Sequence, residues 1–130
     1  MVPYQDIEAI RHVVRLYLEG MIYGEPEKLR QSMHPLCMQA GHDKGRYEFF
    51  PRDEFIALIS QETPQQPGSH YPAEIQMVDI TGDMAIVKVS DDCFGTSWTD
   101  YLTLIKHEGV WQIVMKAFFG HGPSRQSAGS

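Results

Sequence analysis

The run Ser97–Phe119, SWTDYLTLIKHEGVWQIVMKAFF, constrains the fold more than any other stretch, because it reads as two long strands joined by a tight turn. Trp98 to Lys106 and Val110 to Phe119 are rich in β-branched and aromatic residues, and Glu108-Gly109 between them supplies a glycine that tolerates positive φ. Such a turn sets a register. His107 faces Val110, and an uninterrupted ladder continues through Leu104/Ile113, Thr103/Val114, Leu102/Met115, Tyr101/Lys116 and Asp100/Ala117. One face then carries Trp111, Ile113, Met115, Leu102 and Leu104, with the carboxylate of Asp100 at the end away from the turn. The other face mixes Tyr, Thr, Val, Gln and Lys, the composition of a surface half in water or against a partner. A bulge in the last strand would instead turn Tyr101 and Lys116 toward the apolar side.

An apolar sheet face needs a cover, and the N-terminal half provides it. Ile7, Ile10, Val14, Tyr17, Leu18 and Met21 recur at helical spacing, with Asp6 and Glu8 near the positive end of the dipole and Gly24 as a stop. Glu25-Pro26 opens a second, short helix that ends at His34-Pro35. Leu36 to Ala40 and Tyr47 to Phe50 read as short strands around the glycine-bracketed loop Gly41 to Gly45. Pro51 starts a third helix with Phe55, Ile56 and Ile59 on one face. Residues 63–71 hold too much Pro and Gly for either element. Glu74 to Ile80 and Met84 to Ser90 are strands around Thr81-Gly82-Asp83, and Asp91 to Gly95 leads into the hairpin. The expected fold class is α+β: three helices of the N-terminal half covering one side of a curved, cone-shaped, mostly antiparallel sheet, with a cavity at its open end. Residues 1–122 form one domain, and 123–130 are a small, polar, disordered tail.

The closing G-x-W-x-I-V-x-K-x-F, together with Ile7 to Gly24, Pro26 to Pro35, Pro51 to Ile59 and Ile80 to Val89, resembles the nuclear transport factor 2-like superfamily. Within it the chain is most similar to SnoaL-like and putative lumazine-binding small domains, over nearly its whole length. The resemblance implies a cone-shaped (cystatin-like) domain, a homodimer formed through the outer sheet face, and an apolar pocket. Members include isomerases, dehydratases, cyclases and hydrolases as well as proteins that only bind or scaffold, so function rests on the site. Leu36 and Cys37 stand where many SnoaL-like members carry an Asp after the His-Pro.

Composition narrows the partners. A chain of 130 residues with a net charge of −6 and no basic run is a poor match for nucleic acid or an anionic membrane. No apolar stretch is long enough to span a bilayer and no signal peptide is evident, so a cytoplasmic location is expected. Cys37 and Cys93 read as buried thiols rather than a disulfide. The histidines lack H-x-H and H-E-x-x-H spacing, so no metal is expected, and no cofactor motif is present.

Three residues are the candidates for catalysis. Asp100 lies on the apolar face, where desolvation raises a carboxyl pKa into a useful range; the alternative is a strand-end Asp in water. Tyr17 lies on the buried helix stripe, as a core residue or as a donor to a substrate oxygen. His42 stands between glycines at the rim, exposed or in the pocket. Met21, His34, Phe55, Trp98, Leu102 and Met115 are the candidate ligand-binding wall, with His34 equally readable as a helix-end cap. His70 could belong to a lid. The reading is a cofactor-independent isomerase, dehydratase or cyclase acting on a small apolar molecule by general acid/base chemistry. A non-catalytic hydrophobic ligand-binding protein and a dimeric interaction module are the alternatives.

Overall fold

The computed structural model describes residues 4–66 and 71–124. Helix α1 spans Tyr4–Ile22 and α2 spans Pro26–Ser32; strands β1 (Met33–Asp43) and β2 (Arg46–Pro51) follow, then α3 (Arg52–Ser60). Strands β3 (Ala73–Thr81), β4 (Met84–Cys93), β5 (Thr96–His107) and β6 (Val110–Pro123) complete a six-stranded sheet of order β2-β1-β6-β5-β4-β3. Only the β1–β6 pair among these neighbours is parallel. The architecture is the expected α+β cone, with helices on the concave face of a curved sheet. His70 and residues 67–69 of the Pro-rich loop lie outside the described residues.

The core is built by the periodicities anticipated above. Ile10, Val14, Tyr17, Leu18 and Met21 are all buried along one stripe of α1, and they meet Val87, Val89, Leu102, Leu104 and Ile113 from the sheet. Each fully buried aliphatic side chain of this kind contributes roughly 1.5–3 kcal/mol. α2 is tied to α1 by Lys28, whose ammonium lies 2.7 Å from Glu19 and 3.0 Å from Glu25. Gly41 marks a close approach: a Cβ there would lie 1.9 Å from the carbonyl oxygen of Phe118. No other residue fits between β1 and β6 at that point.

The hairpin register holds near the turn and then changes. Glu108 and Gly109 adopt φ of 51° and 80°, and His107/Val110 through Leu104/Ile113 pair as expected. Beyond them Thr103 pairs with Met115, leaving Val114 as an extra residue in β6. The β6 side chains from Met115 to Phe119 are therefore reversed. Lys116 turns inward and is 7% exposed, whereas Met115 points out and is 58% exposed. The alternation of β5 is unbroken, so Asp100 stays inside, opposite Phe118 rather than Ala117, and Tyr101 stays outside. A bulge on one strand reverses that strand alone, so Lys116 enters without Tyr101.

The strands also run further than their apolar cores. β4 continues through Asp91 to Cys93, β1 reaches Asp43, and β6 reaches Pro123, past the expected tail boundary. Ser124 is buried, and its amide donates to the carbonyl oxygen of Gly95 at 3.0 Å.

Candidate functional site

The inner ends of these longer strands, together with α1 and α3, enclose a partly open cavity of about 330 Å³. Its apolar wall comes from Met21 of α1, Phe55, Leu58 and Ile59 of α3, Phe50 of β2, Trp98 of β5 and Phe118 of β6. The rings pack against one another: Phe50 lies 6.4 Å from Phe55 and 6.0 Å from Phe118, and Trp98 meets Phe118 edge-on at 5.8 Å. Trp98 is held in place by its indole N–H, which donates to the carbonyl of Cys93 at 3.1 Å. Asp43, Arg46 and Glu48 stand along the β1–β2 side.

The polar part of this cavity has an unusual composition. Asp91, Asp100 and Lys116 all line it, and they are 5%, 2% and 7% exposed respectively. Tyr17, fully buried, donates its hydroxyl to Asp100 Oδ2 at 2.9 Å. Burial first, and the Asp100 carboxylate second, push the Tyr17 phenol well above its ordinary pKa, so it remains a hydrogen-bond donor. Asp91 behaves differently. With both acids ionised, neither of its buried oxygens has a partner among the described residues. Burial, followed by repulsion from Asp100, raises its pKa far above the usual carboxylate range. A proton on Asp91 resolves the conflict, since the acid can then donate to Asp100. Two neighbouring carboxyls share a proton in this way when both cannot ionise.

The thiols take no part in this. Burial raises Cys37 to about 11 and Cys93 higher still, so both are protonated and unreactive. Among the described residues no cluster of three His, Cys, Asp or Glu side chains could hold a metal ion.

Of the residues singled out in the sequence, Asp100, Met21, Phe55 and Trp98 line the cavity, and Tyr17 reaches it through Asp100. Four others do not. His42 falls on the outward alternation of β1, exposed, with its ring 5.4 Å from Tyr47. His34 caps locally, its Nδ1 accepting the amide of Leu36 at 3.0 Å. Leu102 is sealed in the core below the cavity, and Met115 is turned out by the Val114 bulge. Asp91 and Lys116 replace them. Asp91 continues the inward series Ala85, Val87, Val89, so extending β4 by one alternation would have found it. Lys116 depends on the bulge.

A curved sheet with three helices on its concave face and an acid-bearing cavity at the open end defines a pocket-bearing domain of the nuclear transport factor 2-like superfamily. Residues 5–119 match the family described as "Putative lumazine-binding", and the chain belongs to it. It is similar to an NTF-2 like protein of unknown function from Silicibacter pomeroyi DSS-3, at 29% identity and a TM-score of 0.83, over 93% of this chain and 100% of that one. A second such protein, from Shewanella baltica OS155, shares 28% identity at a TM-score of 0.83, over 95% of this chain and 100% of the other. Among curated proteins, Aldolase FrzH from Cladobotryum sp is 26% identical over 119 residues, covering 89% of this chain and 92% of that protein. The family and fold point to a small-molecule pocket. No described helix is long and apolar enough to cross a membrane.

Proposed function

We propose that the protein is a cofactor-independent enzyme that moves a proton at a carbon next to a carbonyl, in a small and largely apolar substrate. Isomerisation, dehydration, cyclisation and aldol chemistry share that step. The observation that carries this reading is the buried Asp91, without a partner among the described residues at either oxygen and facing the cavity beside the Tyr17-bonded Asp100. Asp91 is the acid and Asp100 the base, with Tyr17 fixing Asp100 so that its free oxygen faces the cavity. The likeness to an aldolase supports the reaction class. The aromatic wall and the cavity of about 330 Å³ suit a small cyclic molecule.

The test is exchange of α-hydrogens for deuterium in small cyclic ketones and aldehydes, followed by proton NMR in D₂O. The reading expects exchange above the buffer rate, falling to background in Asp91→Asn and Asp100→Asn. Bound carbonyl compounds that exchange no faster with protein than without it would make the pocket a carrier and overturn the reading. We also propose a cytoplasmic homodimer formed through the outer sheet face, supported by the exposed Tyr47, Phe49, Met115 and Phe119. Light scattering should give twice the chain mass, and Phe119→Lys should shift it toward the monomer.

A further inference from the structure

The side chain that the acid/base reading leaves unused is Lys116. It is the one lysine of five that the fold buries. Lys28 is paired with Glu19 and Glu25, Lys106 with Asp6, and Lys88 rests 6.0 Å above the Tyr101 ring on the outer side. Lys116 has no hydrogen bond or ion pair to any described residue. Its Nζ instead lies over three aromatic faces, 4.1 Å from the centroid of Phe55, 5.1 Å from Tyr17 and 5.5 Å from Phe118. A buried, unpaired amine gains little for stability. It does have the surroundings in which lysines act as nucleophiles: desolvation, apolar walls and a nearby proton donor.

We propose that Lys116 is the covalent centre of this site, condensing with the carbonyl of an aldehyde or ketone substrate to form an imine. The inference rests on the proton-transfer reading above and deepens it. Nζ passes its ammonium proton to the Asp100 carboxylate and then adds to the carbonyl carbon as the C=O π pair moves to oxygen. One further proton passes from nitrogen to that oxygen to give the carbinolamine. Asp91 then supplies a second proton, the C–O bond breaks and the oxygen leaves as water. What remains is a protonated iminium on Lys116 and a carboxylate on Asp91. The positive charge sits over the Phe55, Tyr17 and Phe118 rings, whose faces favour a cation. The iminium draws electrons from the α-carbon, and the carboxyl pair takes the α-proton back, leaving a neutral enamine and restoring the acid. Addition of the enamine to a second carbonyl would form the carbon–carbon bond of an aldol reaction, and water then hydrolyses the imine to free Lys116.

The imine can be trapped. Cyclohexanecarbaldehyde with sodium cyanoborohydride, which delivers hydride to an iminium carbon, should leave a stable secondary amine on Lys116, read by peptide mapping. The proposal expects Lys116 to be alkylated at least ten-fold faster than the exposed Lys44, and Asp91→Asn to lose that advantage. Lys116→Arg keeps the charge but forms no imine, so it should lower α-deuteration of the same aldehyde by 100-fold or more. Lys116→Met, near the lysine in shape, should do the same while keeping a cooperative melt. If Lys116 reacts no faster than Lys44, or Lys116→Arg exchanges at the wild-type rate, the lysine acts only as a charge and the covalent proposal is overturned. Wild-type exchange that still depends on Asp91 would in that case leave the acid/base reading standing. Absence of exchange in the wild type, with Lys116 still trapped, would remove the acid/base reading alone.

Discussion

Two aspartates on the inner side of this sheet meet opposite fates. Near the β5–β6 turn, Asp6 of α1 accepts hydrogen bonds from Lys106 at 3.0 Å and from the Trp111 indole at 3.1 Å. At the far end Asp91 has no donor among the described residues, and Lys116 in the same cavity lies over aromatic rings instead of against a carboxylate. The first arrangement closes the domain: those hydrogen bonds hold Asp6 below the ordinary carboxylate pKa. The second keeps polar groups buried and unsatisfied, a condition that folded proteins otherwise avoid because each such group costs about 1–3 kcal/mol. The contrast teaches where this chain spends stability and where it gains it. Asp43 Oδ1, also at the cavity, is buried without a partner among the described residues, as are Gln39 Oε1 and the Tyr71 hydroxyl away from it.

The comparison breaks most sharply at Asp91. Asp91→Asn removes the acid, and α-proton exchange should fall on the order of 10²- to 10⁴-fold. The same variant should melt higher than wild type at neutral pH. The sign follows from linkage: the folded Asp91 keeps its proton where the unfolded one has lost it, so wild-type stability declines as pH rises from about 4 toward the raised folded value. The variant escapes that decline, and the two melting curves should converge near pH 4. Circular dichroism across pH 4–8 measures this.

Tyr17→Phe should act on both sides of the balance. Losing a hydrogen bond to a buried carboxylate costs about 1.5–3 kcal/mol of stability, and Asp100 loses its fixed orientation. Exchange should drop about ten- to a hundred-fold, less than for Asp91→Asn, since general acid/base contributions of this kind span roughly 10²–10⁴ in full. Urea titration alongside the exchange assay separates the two effects.

The smallest effect belongs to the closed end. Asp6→Asn should lower the melting temperature without changing exchange, because Asp6 touches Lys106 and Trp111 and not the cavity. Its folded pKa is depressed, so its contribution is present above the unfolded value of about 4 and disappears as pH falls through the folded value. Wild type and variant should differ at pH 7 and coincide in strong acid.

How much of this was legible in the sequence follows from the same two ends. The closed end obeys period rules: α1's stripe, the Glu108-Gly109 turn and the pairs down to Leu104/Ile113 are local patterns that tertiary structure did not override. The open end depends on where strands stop. Asp91 reads as a loop residue when a strand is ended at its last apolar side chain, yet β-alternation carries polar residues inward just as well. The Val114 bulge has no signature in residue type, and it decides the facing of Lys116, Met115 and Phe118. His42 failed for a related reason. A glycine-flanked histidine suggests a rim, but β1 extends through it and the alternation turns it outward.

The most direct measurement is a carbon-13 NMR titration of the Asp91 carboxyl in the free protein. It needs no substrate and asks whether the open end holds a protonated acid beside a base. The account predicts that Asp91 keeps its proton well above the usual aspartate range and that Asp100→Asn, by removing the neighbouring charge, lowers its pKa. An Asp91 that titrates near 4, unmoved by Asp100→Asn, would contradict the pairing and leave the cavity without its acid.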